Sequence, residues 1–292
     1  IPMRRALPVV FAGLASVMLM SDTAAAQPRP LNVRDLIAMD RLSEPAVSPD
    51  GTTVVFTQSV LDAEANRRRS DLWLVKVDGT GLRQLTKDPA GDSSAVWHPG
   101  GTKVFFSSSR SGSSQVWQVE LASGAETQVT SLPLDVNAYA VSPDGSHLAV
   151  AVDVFVDCPT LECTKQRLEE KEKSKATGKI YDALFIRHWD TWKDGRRSHL
   201  FVVPVAGGAP VDVTKGMDGD SPSKPFGGAD EFAFTPDGKS VVFTMRVAGR
   251  EEAWSTNFDL YVAPADGSAA PRNLTSGNKA WDVGPSFSPD GK

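Results

Sequence analysis

Three short stretches gather the side chains that could do chemistry. In Arg250-Glu251-Glu252-Ala253-Trp254-Ser255-Thr256-Asn257 two carboxylates stand beside an indole. Such a set can seat a cationic amine through charge and π contacts, and it would also serve as a solvated connecting loop. Phe185-Ile186-Arg187-His188-Trp189-Asp190-Thr191-Trp192 holds two tryptophans, two potential cations and an acid. Arg187 can meet a carboxylate or a peptide carbonyl with both arms of its guanidinium. Exposed tryptophans mark binding surfaces; the alternative is that Trp189 and Trp192 anchor the stretch to the rest of the fold. His188 alone is no catalyst. In Lys165-Gln166-Arg167-Leu168-Glu169-Glu170-Lys171-Glu172-Lys173 the acids alternate with cations among good helix formers, so a charge-patterned surface helix is expected and not an amine site.

The compartment follows from the other end of the chain. Arg4 and Arg5 precede an apolar run from Leu7 to Met20, and Ala24-Ala25-Ala26 then offers small residues for cleavage before Gln27. That order is the order of a signal peptide, and the run is short for a membrane span; a buried helix is the alternative. Residues 1–26 are therefore expected to be a leader, and the remainder exported to a periplasm or secreted, with no membrane attachment after cleavage. Export favours a local disulfide between Cys158 and Cys163, which lie on either side of Pro-Thr-Leu-Glu. Neither His147 nor His188 has ligand spacing to this pair, so no metal is expected, and no cofactor. A net charge of -5, without a long basic run, gives no reason to expect nucleic acid.

The elements that must position these residues are written as a repeat. Ser48-Pro49-Asp50-Gly51 recurs as His98-Pro99-Gly100-Gly101, Ser142-Pro143-Asp144-Gly145, Thr235-Pro236-Asp237-Gly238 and Ser288-Pro289-Asp290-Gly291. Proline sets φ at the second turn position, Asp bonds the nearby backbone and Gly accepts positive φ, so each copy is a turn feeding a strand. A second phrase answers it: Asp71-Leu72-Trp73-Leu74-Val75 leads to Leu85-Thr86, Gln115-Val116-Trp117 to Val129-Thr130, His199-Leu200-Phe201 to Val213-Thr214, and Asp259-Leu260-Tyr261 to Leu274-Thr275. Each is a hairpin with an aromatic in third place, a ring able to pack between neighbouring sheets. Two hairpins per unit predict an all-β chain, a β-propeller of four full four-stranded blades plus the start of a fifth. The long step between Pro143 and Pro236 contains one answering hairpin, so the third blade is expected to carry a partly helical insertion at about 157–197. The propeller from residue 27 to 292 is expected to be incomplete, with one sheet face left without a neighbour.

The repeats, the Arg187–Trp192 stretch, the Arg250–Trp254 stretch and the opening Val33-Arg34-Asp35-Leu36 and Arg41-Leu42-Ser43 resemble the acylaminoacyl-peptidase and dipeptidyl-peptidase V branch of the prolyl oligopeptidase family. The turn phrase is shared with TolB-like propellers; the two aromatic-charged stretches are more specific. The resemblance implies a propeller that gates a C-terminal α/β-hydrolase domain, and a serine peptidase that releases dipeptides or blocked residues from peptide N-termini. It implies that Glu251 or Glu252 takes the substrate's amine, with Arg187, Trp189 and Trp254 as neighbours. The partners it implies are a peptide substrate and the protein's own hydrolase domain. That domain needs a serine in a Gly-x-Ser-x-Gly elbow, then Asp, then His. No such elbow occurs in these residues, so the catalytic residues are expected beyond residue 292 and the chain by itself is expected to be inactive. Two other readings remain: a non-enzymatic TolB-like propeller that binds a protein or peptide, and a glycan-binding propeller whose tryptophans stack on sugars.

Overall fold

The computed structural model describes residues 29–181, 184, 186–288 and 290–291. The leader read from residues 1–26 lies outside them, as do Phe185 and Pro289. Residues through Ala38 form a unit of their own, whose described part is one short helix, α1 (Val33–Ala38). Asn32 Oδ1 accepts the Arg34 and Asp35 amides at 2.9 and 3.2 Å, and Arg29 holds the Asp35 carboxylate with both guanidinium nitrogens.

The second unit, from Met39 onward, is a β-propeller fold with four four-stranded antiparallel sheets among the described residues. The first sheet is β1 (Arg41–Val47), β2 (Thr53–Asp62), β3 (Arg67–Lys76) and β4 (Arg83–Gln84). The second is β5 (Asp92–Trp97), β6 (Lys103–Ser108), β7 (Gln115–Glu120) and β8 (Glu126–Gln128). The third opens with β9 (Ala138–Val141) and β10 (His147–Val154). Then come helix α2 (Leu161–Lys173) and a separate hairpin of β11 (Arg187–His188) and β12 (Thr191–Trp192) before β13 (Arg197–Pro204) and β14 (Val211–Asp212) complete it. The fourth sheet is β15 (Phe232–Phe234), β16 (Ser240–Met245), β17 (Asp259–Pro264) and β18 (Arg272–Asn273). The insertion thus leaves the third sheet at Val154 and returns at Arg197, and these two residues are paired across β10 and β13.

The near-continuous apolar runs of the central strands are explained by burial on both faces. In β6, Val104 and Phe106 pack with Val55, Leu72 and Leu74 of the first sheet, and Phe105 between them faces the third. In β10, Leu148, Val150 and Val152 meet the second sheet, and Ala149 and Ala151 meet the fourth. Of the four third-place aromatics, Phe201 and Tyr261 sit inside these inter-sheet cores. Trp73 and Trp117 are half-buried, and Trp117 lies under the Arg110 guanidinium at 4.9 Å.

Each repeated turn closes the same way. Gly51, Gly101, Gly145, Gly238 and Gly291 all have φ between 69 and 78° and donate their N–H to the carbonyl three residues back. Ser48 donates its hydroxyl to Asp50 at 2.5 Å and accepts the Thr53 N–H at 2.9 Å; Ser142 with Asp144 and His147, and Thr235 with Asp237 and Ser240, repeat the pattern. The second copy, with Gly100 in the place of Asp, uses His98 Nδ1 to accept the Gly100 N–H at 2.9 Å. The threonine that ends each unit is used in an equally regular way. Thr86, Thr130, Thr214 and Thr275 accept the amides of Leu72, Val116, Leu200 and Leu260 at 2.9–3.1 Å. A hydroxyl thus completes the ladder where the outer strand stops.

Because all strands in a sheet alternate in direction, every Asp-Gly turn falls at one end of the sheets. The β10–β13 insertion, the β16–β17 connection and the loops joining one sheet to the next fall at the other. The three stretches marked for chemistry therefore share an end. Among the described residues no helix is long and apolar enough to cross a membrane.

Candidate functional site

The insertion is built outward from its first residues. Cys158 and Cys163 are bonded, with Cα atoms 5.5 Å apart, as expected. Thr160 caps α2 by accepting the Cys163 N–H at 3.2 Å, and the buried Thr164 accepts the Phe155 N–H at 3.2 Å. Arg167 holds Asp157 with two hydrogen bonds of 2.7 and 2.9 Å and lies over the Phe155 ring, which Lys171 also covers. The helix expected at Lys165–Lys173 begins four residues earlier, because the capped turn at Thr160 and the buried Leu161 extend it.

Beyond α2 the chain forms the β11–β12 hairpin. Arg187 stacks its guanidinium on the Trp192 ring at 5.3 Å, a cation–π contact. Trp189 holds the tip at φ 52° and is 76% exposed, a strained conformation for a bulky residue on a surface. His188 faces Phe226 edge-on, with ring centroids 6.1 Å apart.

The hairpin leads into an ion cluster centred on Glu252. Arg197, the first residue of β13, holds both Glu252 oxygens at 2.8 and 3.0 Å, and Lys193 donates to Oε1. Arg246 stands 3.8 Å from the same oxygen. Arg197 also reaches Asp218 at 2.7 Å and Asp220 at 3.1 Å. Asp218 and Asp220 bracket a glycine for a steric reason: a Cβ on Gly219 would lie 2.7 Å from the Arg246 carbonyl oxygen. Burial alone would raise the Glu252 carboxyl, but the hydrogen bonds from Arg197 and Lys193 outweigh it and hold it down to about 2. Arg197 is driven further up: burial opposes its charge, and Glu252 and Asp220 overcome that. Burial lowers Lys193 and Arg246.

This cluster forms one wall of a cleft of about 780 Å³. Lys193, Arg197, Asp218 and Glu252 line it with charge, and Tyr181, Ile186 and Trp192 supply aromatic and apolar surface. Of the residues singled out from sequence as taking the substrate's N-terminus, only Glu252 lines this cleft. Glu251 is exposed on the short 3₁₀ turn Gly249–Glu251, Trp254 is 65% exposed one step further on, and Arg187 reaches the cleft only through Trp192. The adjacent carboxylates are thus split: one faces the ion cluster and the other faces solvent. Sequence reading missed Lys193, Arg197, Asp218 and Asp220; the available signal was Asp218-Gly219-Asp220, two acids about a glycine at the end of the sheets where the insertion lies.

Residues 34–174 match the TolB beta propeller domain. The chain is 29% identical to dipeptidyl-peptidase 5 of Porphyromonas gingivalis over 260 residues, covering 88% of this chain and 37% of that protein. It is 26% identical to dipeptidyl-peptidase 5 of Aspergillus fumigatus over 292 residues, covering 92% and 40%. Among solved structures it resembles an acylaminoacyl peptidase in complex with Z-Gly-Gly-Phe-chloromethyl ketone, with a TM-score of 0.59 and 12% identity over 82% of this chain and 33% of that one. The chain spans about two fifths of the length of the curated relatives it matches.

Proposed function

Starting from a chain that carries the propeller part of the dipeptidyl-peptidase and acylaminoacyl-peptidase branch of the prolyl oligopeptidase family, we propose that it gates an exported serine peptidase and receives the N-terminal end of the peptide substrate. The observation that carries this reading is Glu252, an ionised carboxylate in the lining of a cleft that Tyr181 and Trp192 also line. A fixed carboxylate beside indole and phenol rings suits a peptide's α-ammonium. Glu251 stands next to it in the chain as a second acceptor, and Arg187, Trp189 and Trp254 are read as neighbours on the substrate's path. In this reading the serine, aspartate and histidine belong to a hydrolase domain that follows the propeller, so the present residues bind and do not cleave. The disulfide agrees with a periplasmic or secreted location.

The test is kinetic and uses the full-length protein. Glu252→Gln should raise KM for dipeptide p-nitroanilides about tenfold, and Glu251→Gln about twofold to threefold, as expected for a buried and a rim charge contact. Unchanged KM in both variants removes the assignment. A second reading, a non-enzymatic propeller that binds a protein or peptide, draws on the TolB domain match. A reading frame without a Gly-x-Ser-x-Gly elbow would decide for it.

A further inference from the structure

The geometry points to Lys193 as the resident occupant of the position that a substrate ammonium would take on Glu252, so that its displacement sets the preference between free and blocked peptide N-termini. This inference rests on the reading of Glu252 given above. Three observations carry it. The first is the set of partners on the carboxylate. Arg197 covers both oxygens, and Lys193 shares Oε1 with it. An arriving ammonium must therefore replace one of these cations.

The second observation decides which one leaves. Arg197 is tied at the same time to Asp218, Asp220 and Glu252 through a planar fork, so its departure would break three ion pairs at once, whereas that of Lys193 breaks its pair with Glu252. Lys193 reaches the cluster on a flexible four-carbon stem, and its side chain is 25% exposed, which gives it a path to solvent. Its backbone stays fixed, because its N–H donates to the Ile186 carbonyl at 3.0 Å. Burial also lowers its affinity for its own proton.

The third observation is charge balance. Lys193, Arg197 and Arg246 face Glu252, Asp218 and Asp220, three cations against three anions. An ammonium added without loss of Lys193 would leave the half-buried cluster with an excess positive charge; exchange one for one keeps it neutral. A blocked, uncharged N-terminus offers no cation to make this exchange and meets the Lys193–Glu252 pair closed. Lys193 thus acts as a positioning and selecting residue, whose counter-charge a free-amine substrate must replace.

Lys193→Met and Lys193→Arg in the full-length protein test this, with dipeptide p-nitroanilides and their N-acetyl forms as probes and Glu252→Gln as reference. In Lys193→Met the KM for the free-amine substrates should fall about tenfold with kcat unchanged, and the preference over the N-acetyl forms should rise by the same factor. Lys193→Arg, which keeps the pair, should restore the wild-type KM. If Glu252→Gln raises KM and Lys193→Met leaves it unchanged or raises it, the role of Lys193 is overturned and that of Glu252 stands. If neither variant changes KM, both are overturned.

Discussion

At one end of the sheets, Ser48, Ser142 and Thr235 make the same hydroxyl-to-carboxylate and amide-to-hydroxyl contacts within six residues of chain. At the other end, Arg197 draws Asp218, Asp220 and Glu252 from distant parts of the chain, and the last of these is 55 residues away. The turn end is locally specified: proline, aspartate and glycine fix each copy, and nothing distant is needed. The excursion end has local structure in its helix, disulfide and hairpin, but its charged cluster forms only when the sheets bring distant segments together. Repetition therefore marks the scaffold, and the departure from repetition marks the candidate site.

The contrast can be broken most severely at its hub. Arg197→Met breaks the ion pairs to Asp218, Asp220 and Glu252 and should lower stability by about 3 kcal/mol, read from the midpoint of urea unfolding of this chain. A loss below about 1 kcal/mol would mean that water satisfies those acids. A smaller effect should come with acid. The Glu252 carboxyl is depressed from 4.5 to about 2, so its contribution is complete above the unfolded value and is lost as pH falls through the folded one. Wild-type stability should drop by about 2 kcal/mol more than that of Glu252→Gln between pH 5 and pH 2. Parallel pH profiles of the two proteins would contradict the depressed value.

The repeated elements should respond less, and each in its own place. Thr130→Val strips the acceptor from the buried Val116 N–H and should cost about 1–2 kcal/mol, with faster hydrogen exchange at that amide. Gly51→Ala should cost about 1 kcal/mol through φ of 72° alone, since an added Cβ would meet nothing within 4 Å. A cost at Gly51 equal to that at Arg197 would remove the distinction between the two ends.

The same distinction explains what could be read before the structure. The four sheets, the single answering hairpin inside the long step, and the helix followed by a return at Arg197 were all legible, because turn chemistry and strand alternation act within a few residues. The disulfide was legible from a spacing of five. Glu251 and Glu252 read as a pair, and the structure separates them, because a 3₁₀ turn sends neighbouring side chains in different directions. Lys193 and Arg197 carry no local signature; the pairing of Val154 with Arg197 brings the end of the insertion back to the sheet, where Arg197 meets Asp220 and Glu252. Trp189 and Trp254 were read as site residues and lie exposed outside the cleft lining, where their role rests on the substrate's path.

Inhibition by an unreactive dipeptide and by its N-acetyl derivative tests the central claim, that the Glu252 wall takes a peptide's charged N-terminus, without dependence on cleavage rates. In the full-length protein the free-amine form should bind about tenfold more tightly than the acetylated form, and Glu252→Gln should reduce that ratio to near one. A ratio that is the same in wild type and variant would contradict the account.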